Sequence, residues 1–153
     1  MTPLLEVLTA LPGLNIAIAV IFGLLIGSFL NVVIYRLPVM MEKAWKSECR
    51  LILELDQSEE DKKTDVFNLS HPSSHCPSCN APIKVWQNIP VISYLFLKGQ
   101  CANCHTSISA RYPIIETVTG LMSGIIAWQL GASAEMLAAL FFTWSLISLT
   151  MID

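Results

Sequence analysis

From Leu14 to Ile34 the chain runs 21 residues without a charge. At about 1.5 Å of rise per residue, an α-helix of that length crosses a hydrocarbon core of about 30 Å. We read it as a transmembrane helix. A cleaved signal peptide is the competing reading, but it calls for a positive n-region and a shorter apolar core. The first 35 residues contain no Lys or Arg. Gly23 and Gly27, with Ser28 beside them, put small residues on one helix face and let another helix approach closely, although such spacing also arises by chance.

Two further apolar blocks follow, from Pro113 to Leu130 and from Ala134 to Ile152. Only Gly131-Ala132-Ser133 separates them, the pattern of a transmembrane hairpin. Pro113 suits the first turn of a helix, where its missing N–H is not needed. Trp128 and Trp144 suit interfacial or packed positions. The composition agrees, being 54% hydrophobic and 14% charged, against about 25% charged in soluble chains. All nine Lys and Arg lie between Arg36 and Arg111, and eight of the twelve acidic residues between Glu42 and Asp65. This excludes a disordered chain or a collagen, and a net charge of -3 gives no reason to expect a nucleic-acid partner.

Arg36 directly follows the first helix and Arg111 directly precedes the second, so the positive-inside rule puts the insert between them in the cytoplasm. The expected organisation is a short periplasmic N-terminus over 1–13, a first transmembrane helix over 14–34, and a cytoplasmic insert over 35–112. A second transmembrane helix follows over 113–130 and a third over 134–152.

Within the insert, apolar residues recur at helical spacing over 39–55 through Met41, Trp45, Cys49 and Ile52, with Glu42, Lys43, Lys46 and Arg50 between them. This predicts an amphipathic helix. Packing on the rest of the insert is favoured over lying on the membrane, because interfacial helices usually carry a more basic face. Residues 56–65 are polar, dense in charge and free of aromatics, as in a solvated linker. No internal repeats or low-complexity tracts are evident.

Cys76-Pro77-Ser78-Cys79 and Cys101-Ala102-Asn103-Cys104 form a repeated Cys-x2-Cys pair in a module over 74–106. Each x2 spacing lets two sulfurs from one turn reach one metal at about 2.3 Å, and four thiolates complete a tetrahedral zinc shell. The intervening segment is long enough for the strands of a zinc ribbon. The expected fold class is therefore mainly α: a polytopic membrane protein with three transmembrane helices and a cytoplasmic zinc-ribbon-like insert. Two disulfides are the alternative, opposed by a reducing compartment. A redox-active pair would need a thioredoxin-like βαβ context. With four Cys the shell is closed, which makes the zinc structural and leaves no position for a catalytic water. Cys49 is expected to be a buried residue of the amphipathic helix, and His75 and His105 to be exposed or to support the ligands from outside the shell.

A carboxylate at the bilayer is costly and needs a reason. Glu116, one turn inside the second helix, either complements the helix dipole or acts in function. Asp153, at the predicted cytoplasmic face, reads as a boundary residue or a functional group. Asn31 and Ser28 are placed to bond between helices.

Gly27-Ser28-Phe29-Leu30-Asn31-Val32-Val33-Ile34-Tyr35-Arg36-Leu37-Pro38 resembles the N-terminal signature of bacterial type IV prepilin peptidases. The two Cys-x-x-Cys pairs follow in that family's order. Asn88-Ile89-Pro90-Val91-Ile92-Ser93-Tyr94-Leu95 and the stretch from Arg111-Tyr112-Pro113 through Glu116 to Gly120 match two more of its segments. The resemblance covers nearly the whole chain. It implies a multi-pass enzyme of the bacterial inner membrane that cleaves type IV prepilins or type II secretion pseudopilins after a glycine. It further implies N-methylation of the new N-terminal residue, usually Phe, with S-adenosylmethionine. The first catalytic aspartate of the family ends a hydrophobic helix, the position of Asp153 here, and the four Cys bind zinc in the cytoplasmic domain.

The family's Gly-x-Gly-Asp motif, which carries the second aspartate, does not occur in these 153 residues. Two carboxylates sharing a proton are needed for aspartyl chemistry. The chain alone is therefore expected to be inactive as a peptidase and to be an N-terminal piece of a longer enzyme or a truncated gene product. The methyltransferase assignment rests wholly on the resemblance, since no Gly-rich strand-to-helix fingerprint locates the donor. A non-enzymatic zinc-binding membrane adaptor is the alternative, and a methyltransferase working without the protease half is a third reading.

Overall fold

The computed structural model describes residues 3–53 and 67–152, so the linker expected over 56–65 and Asp153 lie outside the described residues. Helix α1 (Pro3–Ala10) leads into α2 (Pro12–Ile52). A 3-10 turn (Val85–Asn88) and the short α3 (Ile92–Phe96) follow, then α4 (Arg111–Leu130) and α5 (Ala134–Ile152). No strand is present among the described residues.

Helix α2 begins with Pro12 in its first turn, where the fixed φ is pre-organised and no N–H is forfeited. Its 41 residues span about 60 Å at the α-helical rise, twice what a bilayer core needs. The first membrane helix and the amphipathic helix expected over 39–55 are thus one element, continuing through Pro38. Pro38 costs a single hydrogen bond to the carbonyl one turn back and does not end the helix. Beyond it Met41 and Trp45 are exposed, and so is Cys49. This corrects the expectation that the stretch packs on the insert with Cys49 inside. Within this distal part of the helix Lys43 contacts the insert, its Nζ sitting 4.5 Å from the Phe67 ring centre.

Where they meet, helices α2 and α4 bury mainly small and polar residues, whereas α5 buries Leu140 and Trp144. On α2 the buried row is Asn15, Ala19, Gly23, Gly27 and Asn31, at every fourth residue, while Ile18, Phe22, Leu25 and Phe29 face outward. Helix α4 answers with Glu116, Thr119, Gly120, Ser123, Gly124 and Ala127. The fit is tight at the backbone: a Cβ added at Gly27 would lie 2.7 Å from Glu116 Cα, and one at Gly23 would lie 3.0 Å from Gly120 Cα. Small residues that let backbones touch are how helices associate in lipid, where apolar burial drives nothing.

Trp144 of α5 closes the bundle. Its indole Nε1 donates to Ser123 Oγ at 3.0 Å, its ring meets Phe22 and Phe141, and it joins Leu30, Ile34, Ile115 and Leu140 in the apolar core. Trp128, by contrast, is exposed near the end of α4.

Two of the three expected spans, α2 and α5, are long and apolar enough to cross a membrane. Helix α4 is long enough but less apolar, because Glu116, Thr119 and Ser123 sit in it; these face α2 and are buried.

Candidate metal centre

Each Cys-x-x-Cys pair lies in its own small turn, and the two turns have the same hydrogen-bond pattern. In the first, the Cys76 N–H donates to Ala81 O, the Asn80 N–H to Cys76 O and the Ile83 N–H to Ser74 O. In the second, Cys101 donates to Thr106 O, His105 to Cys101 O and Ile108 to Gly99 O. Asn80 and His105 occupy equivalent left-handed positions, with φ of 55° and 57°. Each turn is closed by one antiparallel bridge, His75 to Pro82 and Gln100 to Ser107. The sequence therefore does hold a short repeat, 74–83 and 99–108, whose signal is a Cys-x-x-Cys followed four residues later by Ile.

The expected ribbon strands are replaced by two knuckles joined through a 3-10 turn and α3. Pro82 and Pro90 cannot donate to a ladder, and the knuckles' own turns take up the neighbouring backbone groups.

The two turns face each other. The sulfurs of Cys76, Cys79, Cys101 and Cys104 all lie within 4.8 Å of one another, and Cys76 Sγ is 3.8 Å from Cys104 Sγ. Tetrahedral zinc with bonds of about 2.3 Å needs sulfurs about 3.8 Å apart. The donor set and its spacing therefore suit a four-thiolate metal ion. In the second knuckle local dipoles favour thiolates: the backbone N–H of Cys104 and then that of Asn103 pull the Cys101 thiol down from its ordinary value. The Thr106 hydroxyl and backbone N–H bring Cys104 to about 6. Asn103 also donates from Nδ2 to Cys79 Sγ at 3.5 Å, the kind of outer contact that orients a ligand. His75 is exposed, with Nδ1 3.1 Å from Ser73 O, and neither His belongs to the four-sulfur group.

Among the described residues, Arg36 and Glu116 tie this module to the helices. Buried Arg36 donates from Nη1 to Asn68 O at 2.9 Å and from Nη2 to Pro72 O at 2.6 Å, clamping the chain that leads into the first knuckle. Glu116 is the sixth residue of α4, past the first turn, and its Oε2 accepts the Val91 N–H at 2.7 Å. Asn31 donates to Tyr112 O at 3.2 Å, joining α2 to the start of α4 as its place in the sequence suggested. Arg111 Nη2 donates to Met151 O at 2.7 Å, so its guanidinium lies at the C-terminal end of α5. The proposed catalytic residue, Asp153, comes two positions later and is outside the described residues. Sequence reasoning singled out Arg36 and Arg111 as topology markers and as members of the family segments, without a bonding role. Their bonding partners lie tens of residues away and left no local signal.

The family model for the bacterial peptidase A24 N-terminal domain matches residues 21–130. Among curated proteins the chain is similar to the prepilin leader peptidase/N-methyltransferase of Neisseria gonorrhoeae, with 51% identity over 95% of this chain and 50% of the relative. It is 47% identical to that of Stutzerimonas stutzeri over 100% of the chain and 52% of the relative. With that of Pseudomonas aeruginosa the figures are 44%, 99% and 51%. The chain thus spans about half the length of the curated relatives it matches. No solved structure matches.

Proposed function

The chain belongs to the bacterial peptidase A24 N-terminal domain family, and from that membership we propose that it forms the N-terminal half of a prepilin leader peptidase and N-methyltransferase. The observation that carries the reading is similarity to proteins of that name along essentially the full chain. In this reading α2, α4 and α5 cross the bacterial inner membrane with residues 35–112 in the cytoplasm, and the substrates are type IV prepilins or type II secretion pseudopilins.

Asp153 is assigned as one carboxylate of the catalytic pair. Peptide hydrolysis by this chemistry needs one carboxylate to take a proton from water while a second, protonated, donates to the departing group. The second would come from a Gly-x-Gly-Asp segment outside these 153 residues. The Arg111 contact with Met151 O holds the N-terminal end of α4 against the C-terminal end of α5 and so restrains the helix end that Asp153 follows. Cys76, Cys79, Cys101 and Cys104 are assigned to a structural zinc, which on binding cross-links the two knuckles. Methyl transfer from S-adenosylmethionine is proposed for the whole enzyme. Among the described residues there is no Gly-rich strand-to-helix turn to cradle that donor, and no residue is assigned to it.

Co-expression of the chain with a segment supplying the remaining helices and a Gly-x-Gly-Asp tests the assignment. Cleavage of a prepilin that disappears with Asp153→Asn is expected. Cleavage that persists in the variant removes Asp153 from the pair, and no cleavage in either case favours the adaptor.

A further inference from the structure

The segment between the knuckles is held at an unusual height. Val91 N–H bonds Glu116 Oε2 at 2.7 Å, and Glu116 is level with Gly27, whose added Cβ would lie 2.7 Å from Glu116 Cα. Gly27 lies seven residues before Ile34, the end of the uncharged run, or about 10 Å along the helix. A glutamate side chain recovers several ångströms of that depth. The backbone at Val91 therefore lies back along α2 from the end of the apolar run, which in the membrane-spanning reading is the level where headgroups meet acyl chains. Val91 is also a β-branched residue at φ 58°, a conformation that persists only when the surroundings impose it.

What the segment presents at that level is apolar. Ile92, Leu95 and Phe96 are 51%, 68% and 81% exposed and line a shallow depression of about 320 Å³. Exposed Lys98 follows after Leu97, at φ 52°, and buried Gly99 at φ 67° turns the chain back toward the second knuckle. A short apolar stretch with a lysine at its edge, set about 5–10 Å into the boundary region, is how an interfacial element sits on a bilayer.

We propose that residues 89–97 are an interfacial element of the membrane domain. In this assignment Ile92, Leu95 and Phe96 insert into the lipid leaflet, and Glu116 is the buried anchor that satisfies the Val91 N–H there. The lipid bilayer is the occupant that the height argument selects, and the element sets the distance of the metal knuckles from the membrane. The inference rests on the membrane-spanning reading of α2 and α4.

A photoreactive benzophenone amino acid is placed in turn at Phe96, at outward-facing Phe141 of α5, and at Glu48 on the distal part of α2, in protein residing in bacterial membranes. Mass spectrometry then identifies the adducts after irradiation. Lipid adducts at Phe96 within a few-fold of the yield at Phe141, with none at Glu48, are expected. Lipid adducts at Phe141 but only protein adducts at Phe96, whether to another segment, a second copy or a pilin, overturn the assignment while leaving the membrane reading intact. Lipid adducts at Glu48 equal to those at Phe96 overturn it as well. Absence of lipid at both Phe96 and Phe141 overturns the membrane reading, and this inference with it.

Discussion

Replacing Gly27 by alanine puts a methyl group where α2 and α4 come closest. The new Cβ would lie 2.7 Å from Glu116 Cα, 3.1 Å from Thr119 Cβ and 3.3 Å from Glu116 O, whereas carbon atoms rest about 3.5–4.0 Å apart. The helices must part by roughly 1 Å, a gap that forfeits a quarter to a half of the dispersion energy of each contact it opens. Overpacking of this kind costs about 1–3 kcal/mol, and here the obstacle is backbone that cannot rotate away. The Asn31 bond to Tyr112 O, 3.2 Å long, would stretch out of range and remove about 0.5–1.5 kcal/mol more. Alanine returns about 1 kcal/mol of helix propensity, leaving a net loss of about 1–3 kcal/mol.

Gly13→Ala is the control, because nothing lies within 4 Å of its added Cβ; there only the propensity term remains, and the change is neutral or stabilising. Unfolding by SDS in mixed micelles measures both. Equal midpoints for the two variants would refute the close-approach argument.

Cys76→Ser combined with Cys101→Ser should abolish a stoichiometry of about one zinc per chain, since structural zinc needs all four ligands. Metal analysis of reductively purified protein checks this, and the same analysis should find zinc in the parent. Thr106→Val removes the hydroxyl that contributes most to lowering Cys104 from 9.0 to about 6. A lowered thiol pKa keeps the thiolate available above that pH and loses it as pH falls through it, so the variant should release metal at a higher pH during acidification. Cobalt–thiolate absorbance followed against pH reads the midpoint, and an unchanged midpoint refutes the role of Thr106. Glu116→Leu leaves the Val91 N–H without its acceptor, at about 1–3 kcal/mol, while Glu116→Gln keeps an oxygen in reach. Faster amide exchange over 89–97 in the first variant and not the second is expected.

Much of the outline was legible in local pattern. The apolar runs and the Gly131-Ala132-Ser133 break marked the paired helices α4 and α5. The two Cys-x-x-Cys pairs announced a four-sulfur cluster, because ligand spacing within a turn is a property of neighbouring residues. The expectation failed where distant parts decide. The first helix is expected to end at Ile34, where the uncharged run stops, yet α2 absorbs the bond lost at Pro38 and continues to Ile52. Met41, Trp45 and Cys49 have the periodicity of a packed face, but periodicity does not say whether a partner arrives, and none of the three is buried.

The sequence by itself determined which long stretches are apolar and helical and which four thiols can share a metal. Both follow from composition and from spacings of a few residues. Only the tertiary structure decided that Gly27 meets the backbone of Glu116, that Glu116 holds Val91, and that Arg36 clamps the approach to the first knuckle. Those contacts join residues far apart in the chain, and they exist because α2 and α4 turn their small residues toward one another. That choice of faces fixes the height and register of everything attached to them.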